Sequence, residues 1–176
     1  SLEENVINQI AAGEVIESPV SVIKELVENS LDSNAKNIEI EIKASGFQLI
    51  RVIDDGVGMT KEDLKNSIKR HFTSKIKDLK DLKKINTQGF RGEALASIAS
   101  ISKMKIESAK NRLSNMIYAE KGEIIKEDFS NRSKGSLVEI KSLFYNVPVR
   151  KNFQKNENII SSEILKLLHN LAFANP

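Results

Sequence analysis

The chain has 176 residues, with 27 Lys and Arg against 24 Asp and Glu, a formal net charge of +3 and no Cys. This length allows one domain with a substantial core, since a chain of this size buries roughly two thirds of its unfolded surface. The lack of Cys excludes disulfide scaffolds, thiol nucleophiles, zinc fingers and CxxC redox centres. The nearly balanced charge excludes a strongly basic arm and does not by itself indicate nucleic-acid binding.

No apolar run reaches the roughly 18 residues that a membrane helix needs, so we expect a soluble protein with no membrane partner. The first residues carry neither the basic nor the apolar region of a secretory signal, and the cytoplasm is therefore the expected location. The chain begins without Met and stops directly after an apolar helical pattern. We expect it to be a piece of a longer protein.

Two helices are predicted at the start of the chain. Apolar residues at helical spacing indicate a helix over residues 4–15. Ser18 followed by Pro19 is typical of a helix N-terminus, because the hydroxyl caps the first turn and proline fits the first helical position. The second helix is predicted to run to about residue 33.

The next segments favour two strands and a short helix. Strict alternation of Ile with Glu predicts a half-buried strand over residues 37–43, and residues 48–54 are its predicted partner. Thr60 is a suitable cap for a helix over residues 61–70.

The second half of the chain begins with a long excursion without sustained periodicity, residues 72–92. Helices are predicted over residues 93–101 and 157–173. Three strand-like runs lie between them, at residues 103–108, 116–120 and 136–141. This order of elements predicts an α+β fold built as a two-layer sandwich.

Polar side chains share one face of the second helix. At about 100° per residue, Glu25, Asn29 and Asp32 fall within roughly 60° of one another, opposite an apolar side. One interpretation is a solvated polar face. The other is a functional site, because an amide oxygen can ligate Mg²⁺ without adding charge while a nearby carboxylate deprotonates a water.

Asp54 ends the second predicted strand, and two glycines, Gly56 and Gly58, follow it. A dinucleotide-binding fingerprint is disfavoured because Lys61 occupies the third glycine position, and no P-loop pattern occurs. These residues are either an ordinary turn or an adenine site. In an adenine site the carboxylate would accept a hydrogen bond from the exocyclic amine, and the glycines would let a flat base approach the backbone.

Two further glycines, Gly89 and Gly92, directly precede the predicted helix over residues 93–101. Free N–H groups and the positive end of a helix favour anion binding at such a place. An ordinary loop before a helix is the alternative.

Together these segments resemble the N-terminal GHKL-type ATPase domain of the MutL DNA mismatch-repair family. The superfamily also includes type II topoisomerase ATPase domains, the ninety-kilodalton heat-shock chaperone and sensor histidine kinases. The resemblance covers nearly the whole chain in the correct order. It is carried by NQIAAGEV (8–15), KELVENSLD (24–32), RHFTSKI (70–76), GFRGEALA (89–96) and LFYNVPVR (143–150).

The resemblance implies a GHKL, or Bergerat, sandwich in which helices cover one face of a mixed, mostly antiparallel sheet, with ATP and Mg²⁺ as ligands. It implies that Glu25 is the general base for the hydrolytic water and that Asn29 ligates Mg²⁺. Asp54 would bind the adenine amine. The other implied nucleotide contacts are Gly56, Gly58, Met59 and Ser136 at the base, Thr73, Ser74 and Lys75 in a lid, and Gly89, Phe90, Arg91 and Gly92 at the phosphates.

The chain departs from the family pattern beside the site. Asp55 stands where the family commonly has Asn, and Ser33-Asn34 replaces a usual Ala-Gly pair. Neither change removes a group with an implied role, so we expect nucleotide binding to survive. His71 lies at the start of the implied lid, and a lone His is more often structural than catalytic.

The implied function is a slow, Mg-dependent ATPase switch for DNA mismatch repair, in which ATP orders the lid and pairs two such domains. Residues 1–176 would be the N-terminal ATP-binding lobe. A second lobe, which supplies a lysine to the γ-phosphate, and a C-terminal dimerisation domain would lie outside this chain. Implied partners are a mismatch-recognition protein, other repair factors and weakly bound DNA, near the bacterial nucleoid or in a eukaryotic nucleus.

Two rival functions are a nucleotide-binding recruitment module without hydrolysis and another GHKL ATPase of the topoisomerase or histidine-kinase type. Glu25 argues against the first, because binding alone does not need a base. The segment at residues 89–96 argues against the second.

Overall fold

The computed structural model describes residues 6, 16–70 and 93–176. The helices within these residues are α1 (Pro19–Asp32), α2 (Lys61–Ser67), α3 (Ala94–Ser100), α4 (Pro148–Asn152) and α5 (Glu157–Ala174). The strands are β1 (Ile38–Lys43), β2 (Leu49–Asp54), β3 (Lys103–Lys110), β4 (Leu113–Glu120), β5 (Glu123–Phe129) and β6 (Gly135–Lys141). A 3₁₀ turn, Ala44–Gly46, joins β1 to β2.

The six strands form one sheet in the order β1-β2-β6-β3-β4-β5. Every pairing between them is antiparallel, which agrees with the mostly antiparallel sheet that the resemblance implies. The last strand, β6, lies between β2 and β3. Because β2 and β6 are antiparallel, the end of β2 at Asp54 lies beside the start of β6 at Ser136.

Apolar side chains at alternate strand positions form the core with α1, α3 and α5. Ile50 and Val52 of β2, Ile106 of β3 and Ile140 of β6 are among its buried members. Burial of such side chains stabilises by about 1.5–3 kcal/mol each. The helices pack on one face of the sheet, which confirms the predicted two-layer α+β sandwich.

The predicted helix starts are confirmed by their capping bonds. The Ser18 hydroxyl accepts a hydrogen bond from the Val20 N–H at 3.2 Å, and the Thr60 hydroxyl accepts one from the Asp63 N–H at 3.1 Å. Helix α2 ends at Ser67, three positions before its predicted end. The predicted helix over 4–15, apart from Val6, and the excursion at 72–92 lie outside the described residues.

Two elements were not predicted. Strand β5 lies at the sheet edge and its side chains are mostly exposed, so it lacks the apolar alternation that marks a half-buried strand. Lys121 and Gly122, both with positive φ (52° and 79°), form the two-residue turn between β4 and β5. Helix α4 has five residues and buries none, which leaves no periodic signal.

A row of alternating charges crosses the face of the sheet opposite the helices. Glu41, Arg51, Glu139 and Lys105 are successive cross-strand neighbours on β1, β2, β6 and β3. The Arg51 guanidinium donates to Glu139 Oε2 from Nε at 2.9 Å and from Nη2 at 2.7 Å, and its Nη1 pairs with Glu41. Burial raises the pKa of Glu139, but the Arg51 hydrogen bonds and the charges of Lys105 and Lys141 outweigh it and hold the pKa below its ordinary value.

We expect Glu139→Gln to unfold more easily than the parent at neutral pH, by about 1–2 kcal/mol, because it loses a charged hydrogen-bond acceptor. A carboxyl with a lowered folded pKa contributes stability that is fully present above its unfolded pKa, about 4.3 for Glu, and is lost as pH falls through the folded pKa. Denaturant midpoints measured from about pH 7 to about pH 3 should therefore converge. Glu39→Gln, at an exposed position of β1, is the control and should show no such trend. A gap for Glu139→Gln that stays constant with pH would contradict the prediction.

Candidate functional site

A cavity of about 260 Å³ lies where α1 meets the ends of β2 and β6. Its size, just below the roughly 300–1,000 Å³ of sites for drug-sized ligands, suits a base-sized group. Leu26, Leu95 and Val138 provide apolar walls. The structure brings together here five of the predicted site residues, Asn29, Asp54, Gly58, Met59 and Ser136.

Asp54 is the buried carboxylate of this cavity, with 8% of its surface exposed. Its Oδ1 accepts hydrogen bonds from the Gly56 N–H at 2.9 Å and the Ser136 N–H at 3.2 Å. Its Oδ2 accepts one from the Ser30 hydroxyl at 2.8 Å. A carboxylate offers about four acceptor positions, so these donors fix its orientation and leave one position for a ligand that donates a hydrogen bond.

The loop after Asp54 lies directly on strand β3. Gly58 has φ +69°, and a Cβ at this position would come within 1.9 Å of the Ala109 carbonyl oxygen. The next residue, Met59, donates its backbone N–H to the Ser108 hydroxyl at 2.8 Å. The glycine therefore permits a backbone approach that no other residue would allow, and that approach forms one wall of the cavity.

Helix α1 carries both of the polar residues predicted for chemistry. Asn29 lines the cavity, and its amide has no hydrogen-bond partner among the described residues. Glu25 lies one turn earlier on the same helix, is partly exposed, and does not line the cavity. Asp32, the third polar residue of this face, is exposed near the end of the helix.

The residues that depart from the family pattern support the loops around the cavity. Asp55 Oδ1 accepts hydrogen bonds from the Lys36 and Asn37 N–H groups at 2.7 and 2.9 Å. Hydrogen bonds from the Asn37 side chain and from these backbone groups hold the pKa of Asp55 well below its usual range. Asn34 adopts φ 60°, a conformation that Asn tolerates better than most residues and that suits a position where the family has Gly. Ser33 Oγ donates to the Ser30 carbonyl at 2.8 Å.

Sequence reasoning missed two serines of this network, Ser30 and Ser108. Ser30 lies on the otherwise apolar side of the second predicted helix, and Ser108 is the last residue of the predicted strand over residues 103–108. Both are buried, at 3% and 0% exposure. A hydroxyl on an otherwise apolar face needs a buried hydrogen-bond partner, which was the available signal.

Seven predicted site residues lie outside the described residues, so their placement stays a prediction. They are Thr73, Ser74, Lys75, Gly89, Phe90, Arg91 and Gly92.

Two larger hollows, of about 570 and 690 Å³, lie beside α4 and between α1 and α5. Both are more open than the cavity at Asp54, and neither is lined by a predicted site residue, so size does not identify the site.

The part of the chain that the structure describes contains no cluster of three His, Asp or Glu suited to a metal ion. None of its helices is long and apolar enough to cross a membrane.

Residues 16–152 match the family described as histidine kinase-, DNA gyrase B-, and HSP90-like ATPase. The chain therefore belongs to this family of ATPases. Within it, the chain is similar to proteins described as DNA mismatch repair protein MutL. That of Elusimicrobium minutum is 51% identical over 175 residues, which are 99% of this chain and 29% of the relative. That of Leptospira biflexa is 52% identical over 160 residues, 90% of this chain and 26% of the relative.

Solved structures agree with these relatives. The Aquifex aeolicus MutL ATPase domain complexed with ADP is 37% identical, with a TM-score of 0.71, over 92% of this chain and 57% of that one. A structure described as the N-terminal domain of a DNA repair protein has a TM-score of 0.74 at 33% identity, over 94% of this chain and 48% of that one. The predicted resemblance to MutL ATPase domains is confirmed. The chain spans less than a third of the length of the curated relatives named above.

Proposed function

We propose that this MutL-type ATPase domain binds Mg-ATP and hydrolyses it slowly, as a conformational switch in DNA mismatch repair. The observation that carries the proposal is the remaining acceptor position of Asp54 inside a cavity with apolar walls. The exocyclic amine of adenine is a donor that suits this position. Gly56, Gly58, Met59 and Ser136 would surround the base.

The phosphates would extend from this cavity toward the start of α3. Gly89, Phe90, Arg91 and Gly92 precede that helix in the sequence and would supply backbone N–H groups to the phosphate oxygens. Thr73, Ser74 and Lys75 would belong to a lid that becomes ordered over the nucleotide.

Asn29 is the residue that would hold Mg²⁺. Its amide lies on the cavity wall without a hydrogen-bond partner among the described residues, and it fits this ion, which usually takes few protein ligands and shares phosphate oxygens. When bound, the ion would neutralise charge on the phosphate oxygens.

Glu25 would act as the general base. The carboxylate would orient a water for attack on the γ-phosphorus and accept the proton that this water loses. Its place one helical turn from Asn29 supports this role, because residues four positions apart lie on the same face of a helix.

The wider role is proposed from the MutL relatives. Residues 1–176 would form the N-terminal ATP-binding lobe, and a second lobe would complete the γ-phosphate site. ATP would order the lid and pair two such domains, which would then act with a mismatch-recognition protein, other repair factors and weakly bound DNA in the cytoplasm or nucleus.

Calorimetric titration with a non-hydrolysable ATP analogue, with and without Mg²⁺, tests the proposal. Asp54→Asn should weaken binding by about tenfold to a hundredfold, because an amide places a donor where the site needs an acceptor. The matched control is Asp55→Asn, which restores the residue common in the family and should change affinity little. Equal affinities in the parent and in both variants would contradict an adenine site at Asp54, provided that the melting temperatures show all three to be folded.

A further inference from the structure

Two serine hydroxyls meet beneath the cavity. Ser108 of β3 and Ser136 of β6 are direct cross-strand neighbours, and their Oγ atoms lie 2.7 Å apart. Ser136 lines the cavity, whereas Ser108 is completely buried and does not. Of these two hydroxyls, the one that can contact a group bound in the cavity is therefore that of Ser136.

The hydrogen bonds of Ser108 determine which hydroxyl donates. Its Oγ already accepts the Met59 N–H at 2.8 Å, so its own hydrogen still needs an acceptor. Among the described residues, Ser136 Oγ is the acceptor within reach. Because buried hydroxyls rarely leave a donor unpaired, Ser108 donates to Ser136. Ser136 then cannot donate back to Ser108, and its own hydrogen is available to the cavity.

We propose that Ser108 is a positioning residue that fixes the Ser136 hydroxyl as a hydrogen-bond donor toward the base. The inference rests on the proposed function. The cavity then presents an acceptor at Asp54 and a donor at Ser136. Adenine has the complementary edge, with its 6-amine as donor and N1 as acceptor. Guanine has O6 as acceptor and N1–H as donor at these positions, so it mismatches both groups.

Two nucleotide analogues separate this inference from the proposed function. The 1-deaza analogue of ATP replaces N1 by C–H and tests the donor at Ser136, acting directly or through a water. Purine riboside triphosphate lacks the 6-amine and tests the acceptor at Asp54. In the parent chain, each should bind about tenfold more weakly than ATP.

Ser108→Ala should reduce the preference for ATP over its 1-deaza analogue to about twofold or less, because the Ser136 hydroxyl can then rotate. The preference for ATP over purine riboside triphosphate should remain. Ser108→Thr keeps a donating hydroxyl and should restore the preference for ATP over the 1-deaza analogue. Ser102→Ala is the matched control. Ser102 is equally buried and donates to the Ile98 carbonyl at 2.7 Å, but does not line the cavity, so both preferences should be unchanged.

An equal loss of affinity for ATP and the 1-deaza analogue in Ser108→Ala would overturn the inference, since a purely structural role predicts that result. If Ser108→Ala does not fold, the affinities of the parent chain still test the inference. Equal binding of ATP and the 1-deaza analogue by the parent would show that Ser136 donates no hydrogen bond to N1. If the parent prefers ATP to purine riboside triphosphate, the proposed adenine site stands even when the inference fails. Equal binding of all three nucleotides would refute the adenine site itself.

Discussion

Replacing Glu25 by alanine should lower ATP turnover by about 10²–10⁴-fold while leaving nucleotide affinity nearly unchanged, because a positioned general base contributes a factor of this size. The side chain does not line the base cavity, so its removal leaves the contacts of Asp54 intact. The assay requires a longer chain that includes the proposed second lobe, since we expect residues 1–176 alone to show little or no hydrolysis. Steady-state phosphate release and equilibrium titration measure the two effects separately.

Glu28→Ala is the matched control for this variant. Glu28 is another carboxylate of α1, one turn from Lys24, with which it forms a 4.0 Å surface ion pair. Exposed pairs of this kind contribute little, so neither turnover nor affinity should change. A normal rate in Glu25→Ala would show that Glu25 is not the general base, whereas a parent chain that binds nucleotide without turnover would favour the alternative that the domain recruits partners through nucleotide binding alone.

Asn29→Ala should show the opposite pattern and lose Mg-dependent nucleotide binding. The amide lines the cavity and has no hydrogen-bond partner among the described residues, so its removal breaks no hydrogen bond to them and should cost little stability. Titration of this variant with and without Mg²⁺ should give the same weak affinity. If Asn29→Ala and Glu25→Ala lost binding equally, the two roles would be wrongly assigned.

The predictable parts of the fold are those specified by neighbouring residues. A cap such as Ser18 and the strict alternation of residues 37–43 act within a few positions, and both predictions agree with the structure. Strand β5 depends instead on pairing with β4 at the edge of the sheet. Its side chains are mostly exposed, so its sequence lacks the apolar alternation from which a strand could be predicted. The insertion of β6 between β2 and β3 is likewise a long-range property that local periodicity does not show.

The candidate site likewise contains residues that the local sequence predicts and residues whose role depends on long-range pairing. Asp54 and Asn29 could be predicted because a carboxylate before glycines and an amide on a helix face suggest chemistry by themselves. Ser30 and Ser108 act through partners 24 and 28 positions away, Asp54 and Ser136, and those pairs exist only once the sheet has formed. Such serines resemble ordinary core positions in the sequence, although they determine how the recognisable groups are oriented.

The backbone contact at Gly58 predicts a second large effect, the loss of nucleotide binding in Gly58→Ala. A Cβ only 1.9 Å from the Ala109 carbonyl oxygen cannot be accommodated, so either the loop or β3 must move. Either movement separates the Met59 N–H from the Ser108 hydroxyl and displaces one wall of the cavity. We expect affinity for an ATP analogue to fall by at least about a hundredfold, equivalent to about 2.7 kcal/mol.

Gly122→Ala separates this contact from the general cost of a left-handed backbone. Gly122 also has positive φ, +79°, but a Cβ there would meet Ser100 Cβ at an ordinary 3.7 Å. This control should lose about 1–2 kcal/mol of stability from strain alone and keep its nucleotide affinity. Thermal unfolding and titration of both variants give the comparison. If Gly58→Ala lost only as much stability as Gly122→Ala and still bound nucleotide, the close approach of the loop to β3 would not be what shapes the cavity.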